Sequence, residues 1–272
     1  MNEKNTYLVK AYLKLFHEIQ LGREIGGCKI DYDHDQNRYF ISTVVSGNTP
    51  MEAKDKGFLR ISQLLSIFCV HTGVSYEIDN ILINQISGEK PYLFTGSMTF
   101  REITYMPIGN EKIGEIEQTL TILDQLPNEE KSTKVITKAI NYFLRGCRLE
   151  TTWRSESFLN FYKVIELIAQ HFQGSFNQAL KNQLKSTVLE DLTRDEGKQL
   201  QTPKRLIQFM CLRLGITTSS NDISQIIDLR PKFSAHATLQ EVTISLEEFN
   251  NCKVLAAKVI INYIHKLQSS GL

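Results

Sequence analysis

The chain has 272 residues, enough for one large domain or two ordinary ones. Its 42% apolar and 22% charged content excludes a disordered tail and supplies a real core. With 31 Lys and Arg against 30 Asp and Glu, a net charge of +1 excludes a polybasic nucleic-acid coat but not a local patch.

The five cysteines, Cys28, Cys69, Cys147, Cys211 and Cys252, contain no CxxC pair and are odd in number. A disulfide framework and a cysteine zinc module are both disfavoured, and buried, reduced thiols of a cytoplasmic protein are expected. The opening MNEKNTYLVKAYLKLF has no signal-peptide core, and the longest apolar run, around Leu64–Val70, is far short of a bilayer span. No membrane partner is expected.

In chain order, Leu8, Tyr12, Leu15, Phe16 and Ile19 recur at helical spacing and predict a helix over Tyr7–Ile19. Cys28–Tyr32 and Tyr39–Val45 alternate as strands, and His34-Asp35-Gln36-Asn37 between them has turn composition, so a hairpin is expected. Pro50 opens a helix on which Phe58, Ile61, Leu65 and Phe68 share a face. Short strand-like runs follow at Tyr76–Ile83, Tyr92–Phe94 and Met98–Met106, punctuated by Gly and Pro. Roughly five strands and two helices make an antiparallel-rich α/β domain over residues 1–125, with the boundary between Thr121 and Ser132.

Residues 126–272 read as helices. The stripes are Ile136-Ala139-Ile140-Phe143-Cys147, then Phe158 through Phe172, then Phe176-Leu180-Leu184-Val188. Thr202-Pro203 starts a further helix closed by Gly215, Asp222 caps the next, and Ser245-x-x-Glu248 is a capping box for the last. Five or six helices on short loops predict a bundle. The fold class is therefore α+β, a mixed sheet domain followed by an all-α bundle. The first part holds 12 Lys/Arg and 16 Asp/Glu and the second 19 and 14, so the helical part is the basic one.

Several chemistries are disfavoured by spacing. Asp31, Asp33 and Asp35 imitate the start of a calcium loop, but Gln36 and Ser42 replace its glycine and its bidentate glutamate. P-loop, GxGxxG, HExxH and GxSxG patterns are missing, and the six histidines show no metal-ligand spacing. No cofactor and no metal are expected.

One stretch carries chemistry: Leu229-Arg230-Pro231-Lys232-Phe233-Ser234-Ala235-His236-Ala237. It joins a guanidinium fork able to hold phosphate to an imidazole able to move a proton near neutral pH. On a straight helix six residues turn by ~600°, which leaves the two side chains ~120° apart with a rise of ~9 Å, so one copy does not converge them. A site assembled across a two-fold axis would.

These residues resemble the Arg-x4–6-His signature of the HEPN superfamily of helical-bundle proteins. Ala139–Phe143 and Arg154–Phe172 are similar to its first two helices, and Phe249–His265 to its closing one; the resemblance covers about residues 128–268. It implies a dimeric, metal-independent endoribonuclease of toxin or antiphage type. Arg230 and His236 would be catalytic, with Glu166 and Lys232 as supporting candidates. The expected partners are an RNA substrate, a second copy through the helical domain, and a regulatory protein or antitoxin docked on residues 1–125. The family usually has a polar residue after the arginine. Here it is Pro231, which brings no side-chain hydrogen bond and no backbone donor. That departure keeps two other readings open, a catalytically silent interaction module and a nucleotide-binding sensor.

Overall fold

A computed structural model describes residues 5–13, 24–35, 37–76, 78–86, 91–95, 110–127, 130–186, 202–234 and 244–269. The chain divides into two compact units, Met1–Asp124 and Gln125–Leu272. The first is built on an antiparallel sheet and the second is helical. Among the described residues, no helix is long and apolar enough to cross a membrane.

The sheet of the first unit contains β1 (Asn5–Leu13), β2 (Glu24–Ile25), β3 (Cys28–Asp33), β4 (Arg38–Gly47), β5 (Ile78–Gln85) and β6 (Pro91–Thr95), in the order β2-β3-β4-β1-β5-β6. The expected helix over Tyr7–Ile19 is overturned: its first part is β1, and residues 14–19 lie outside the described residues. Tyr7, Val9, Ala11 and Leu13 are all at most 2% exposed, a period of two. Hydrogen bonding decides the matter. β1 pairs with β4 on one edge (Ala11 opposite Ile41) and with β5 on the other (Ala11 opposite Ile81). The β3–β4 hairpin forms as expected, with Asp33 opposite Arg38. On β4, however, Phe40–Thr43 are buried in succession and Val44 is 57% exposed, so the alternation expected along Tyr39–Val45 fails. The residues that share the packed face of β1 are those opposite Tyr7, Val9 and Ala11, namely Val45, Thr43 and Ile41.

Helix α1 (Pro50–Thr72) lies on this face. Thr49 Oγ1 accepts the Glu52 N–H at 3.2 Å, and the Glu52 carboxylate accepts the Asn48 N–H at 2.9 Å, a reciprocal cap. Gly73, at φ 73°, closes the helix. Phe58, expected on the packed face, is 43% exposed. Gly57 takes its place because the helix meets Val9 so closely that a Cβ there would lie 2.6 Å from the valine. A second helix, α2 (Asn110–Gln125), is not predicted by the sequence pattern. Arg60 of α1 clamps it, holding both Asp124 oxygens at 2.6 and 2.8 Å while its Nε donates to the Gly26 carbonyl at 2.6 Å. The Met98–Met106 run lies outside the described residues.

The second unit has six described helices: α3 (Lys131–Leu149), α4 (Arg154–His171), α5 (Gln173–Ser186), α6 (Pro203–Arg213), α7 (Ser220–Ser234) and α8 (Leu246–Ser269). The stripes of α3 and α4 are buried as expected, and α4 carries Phe158, Phe161, Val164, Ile165 and Ile168 at 0% exposure. Phe161 joins three helices, with ring centroids 5.1 Å from Phe143 of α3 and 5.7 Å from Phe249 of α8. The third stripe is observed only at Phe176, which is buried and 5.5 Å from Phe209; the side chains of Leu180 and Leu184, and all of Val188, lie outside the described residues. Thr202 caps α6, and Ser245 and Glu248 form the capping box of α8. The cap of α7 is Ser219, whose hydroxyl accepts the Asp222 N–H at 3.0 Å. Asp222 lies inside the first turn and is not the cap. All five cysteines are free and buried.

Candidate functional site

Ile223, Ile226 and Leu229 are 2%, 3% and 5% exposed and fix the rotation of α7 against the bundle. Arg230 falls seven residues after Ile223 and four after Ile226, so on a helix of ~3.6 residues per turn it continues their row. A charge on an apolar row needs a partner, and α4 supplies two. Arg230 Nη2 lies 3.2 Å from Glu166 Oε1, and its guanidinium carbon sits 5.3 Å from the Tyr162 ring centroid. Tyr162 and Glu166 are one helical turn apart, so they form a two-point seat: a buried aromatic face below and a carboxylate beside.

The electrostatics follow from this geometry. Burial pushes the Tyr162 phenol above its ordinary value and Glu166 adds to the shift, while Arg230 opposes it. The Arg230 and Glu166 side chains are 49% and 32% exposed, so the pair contributes at most about 1 kcal/mol to stability. Its effect is orientation: the guanidinium is held at the surface, and the contact with Glu166 engages one of its two Nη groups. Pro231 follows within α7, where its ring removes one i to i−4 donor.

The sequence-predicted residues are placed unevenly. The structure brings Arg230 and Glu166 together. Lys232 belongs to the last turn of α7, with its side chain outside the described residues, and His236 lies outside them altogether. Periodicity assigns Tyr162 only to the α4 core stripe. The signal that marks it is a hydroxyl-bearing ring in a row otherwise of Phe and Ile, four residues before a glutamate. Among the described residues, no group of three or more His, Cys, Asp or Glu side chains could hold a metal ion. No family model, no curated protein and no solved structure matches the chain.

Proposed function

We propose that the chain is a metal-independent endoribonuclease of HEPN type, acting on RNA in toxin or antiphage defence. The observation that carries the reading is the seat of Arg230: an exposed guanidinium, oriented by Glu166 and Tyr162 on a neighbouring helix, six residues before His236 in the basic unit. In the proposed step His236 removes the 2′-OH proton, the 2′ oxygen attacks the adjacent phosphorus, and the bond to the 5′ oxygen breaks. The leaving oxygen takes a proton from an imidazolium, and the product is a 2′,3′-cyclic phosphate beside a 5′-OH. Arg230 stabilises the charge that builds on the phosphoryl oxygens. Because the nucleophile comes from RNA itself, DNA is spared. Two copies related by a two-fold axis supply the convergence that one α7 lacks. The acidic residues 1–125 form the regulatory or partner-binding part.

A second reading has its own observation. Glu166 already neutralises Arg230, and Pro231 stands where the family usually has a polar residue, as in a catalytically silent module. Incubating the protein with mixed RNA in EDTA separates the two. The ribonuclease reading expects cleavage with cyclic phosphate ends, abolished by Arg230→Ala and His236→Ala and little restored by Arg230→Lys, whose ammonium lacks the fork. Folded, dimeric protein that leaves RNA intact supports the silent module. Activity lost in EDTA and restored by magnesium refutes the mechanism. A monomer at every concentration in light scattering removes the two-fold site.

A further inference from the structure

The two α4 residues that seat Arg230 also line a cavity of about 210 Å³ within the second unit. Phe176 of α5 and Leu206 and Ile207 of α6 supply apolar wall, and Glu166, Gln170, Gln173 and Thr202 supply polar groups, of which Glu166 alone carries charge. An enclosed cavity of ~150 Å³ holds a benzene ring; this one is half open to solvent, so a single flat bicyclic base can enter with part of its edge outside. Its chemistry narrows the occupant. A carboxylate in the wall repels a phosphate, which Arg230, in contact with two of the lining residues, would attract instead. One carboxylate already paired with a guanidinium is a poor cation site. What fits is a neutral aromatic ring that donates hydrogen bonds from its edge.

Among RNA bases the donor patterns differ. Guanine offers two adjacent donors on its Watson–Crick edge, N1–H and the N2 amino group, matching the two oxygens of a carboxylate. Adenine and cytosine place a ring-nitrogen acceptor beside their single amino donor, which would face the second oxygen. Uracil flanks its one N–H with carbonyls. An ionised carboxylate accepts at about four lone-pair sites, so the contact of Glu166 Oε1 with Arg230 at 3.2 Å leaves capacity for a base. Unpaired bases of single-stranded RNA are commonly read in this way, on aromatic faces and by their Watson–Crick edges.

We propose that this cavity is a guanine-binding subsite in which Glu166 reads the base, so that the phosphate held by Arg230 is the one beside a guanine in single-stranded RNA. The RNA context rests on the ribonuclease reading; the base pocket does not. Isothermal titration calorimetry on the full chain with guanosine, adenosine, cytidine and uridine tests the pocket alone, because nucleosides carry no phosphate and need no cleavage. Guanosine is expected to bind about tenfold or more tightly than the others, as for a bidentate base contact. Glu166→Gln, checked for folding by circular dichroism, should bring guanosine to within about twofold of adenosine, since an amide offers one acceptor in place of two. Equal affinities, or a guanosine preference that survives Glu166→Gln, overturn the pocket even if RNA is cut in an Arg230-dependent way. A guanosine preference in a protein that never cuts RNA leaves the pocket standing and removes the ribonuclease. A 2′-O-methyl oligonucleotide containing one guanine should bind more tightly than guanosine monophosphate; the reverse order moves the occupant to a free nucleotide and overturns the RNA assignment.

Discussion

Gly146 is a point at which the helical unit leaves no free space for a Cβ. It lies near the end of α3, and its carbonyl accepts the hydroxyl of the fully buried Ser157 of α4 at 2.7 Å. A Cβ built there would stand 2.6, 2.8 and 2.9 Å from three ring atoms of Phe161. The ring has nowhere to retreat, being packed between Phe143 and Phe249. In an open helix, Gly→Ala gains about 0.8–1 kcal/mol. Overpacking a close-packed core costs about 1–3 kcal/mol, and a rigid ring places this site at the upper end. Gly146→Ala is therefore expected to destabilise the second unit by about 1–2 kcal/mol net, a fall of a few degrees in Tm for a unit of this size. Gly114, exposed on α2 where a Cβ would meet nothing within 4 Å, is the control, and Gly114→Ala should gain about 0.5–1 kcal/mol. Urea denaturation followed by circular dichroism reads both. A double-mutant cycle with Phe161→Leu should show that the smaller side chain relieves part of the Gly146→Ala penalty. A neutral or stabilising Gly146→Ala would refute the close approach of α3 and α4.

Two further outcomes concern thiols and alkaline pH. Burial pushes Cys28 and Cys211 up to about 11 and raises Cys252 as well, so thiol reagent at neutral pH should find almost no reactive cysteine in native protein and five after unfolding; rapid labelling of the native chain would contradict the packing. The Tyr12 phenol is pushed up to about 12, first by burial and then by its 2.8 Å hydrogen bond to Asp33. A folded value above the ordinary ~10 means that its stabilisation is complete below about pH 10 and is lost as pH rises through about 12. Tyr12→Phe should remove that share of the alkaline loss in urea midpoint; an unchanged alkaline slope would show that Tyr12 is not the group responsible.

The helical unit was far more legible than the sheet. Its stripes are wide, its caps are strong, and each helix can be read without knowing its neighbours. β1 cannot. In Tyr7–Leu13 apolar residues are nearly continuous, so Leu8 and Tyr12 satisfy a helical period while Tyr7, Val9, Ala11 and Leu13 satisfy a strand period. A central strand is bounded on both edges, and only pairing with β4 and β5, more than twenty residues away in sequence, chooses between the two. Helix α2 was missed for the opposite reason. Its five apolar positions, Ile113, Ile116, Leu120, Ile122 and Leu123, sit among Gly, Thr and charges. The anchor that fixes its end, Asp124 on Arg60, is a long-range contact.

The site divides along the same line, and it leads to a last prediction. The sequence marks Arg230 by its neighbours along α7, but the seat is made across helices, by Tyr162 and Glu166 of α4. Arg230 continues the row of Ile223 and Ile226, but its side chain is 49% exposed, so its ion pair adds little to stability. Arg230→Leu would keep the row, lay aliphatic surface on Tyr162, and leave Glu166 unpaired but one-third exposed, where water can solvate it. Its stability should therefore stay within about 1 kcal/mol of the parent, or rise, while the proposed RNA cleavage is lost. The comparison needs only urea midpoints beside cleavage assays on the same preparations. A loss of more than about 2 kcal/mol would place Arg230 among structural groups whose removal breaks a needed pair, and the proposed site would lose the observation that carries it.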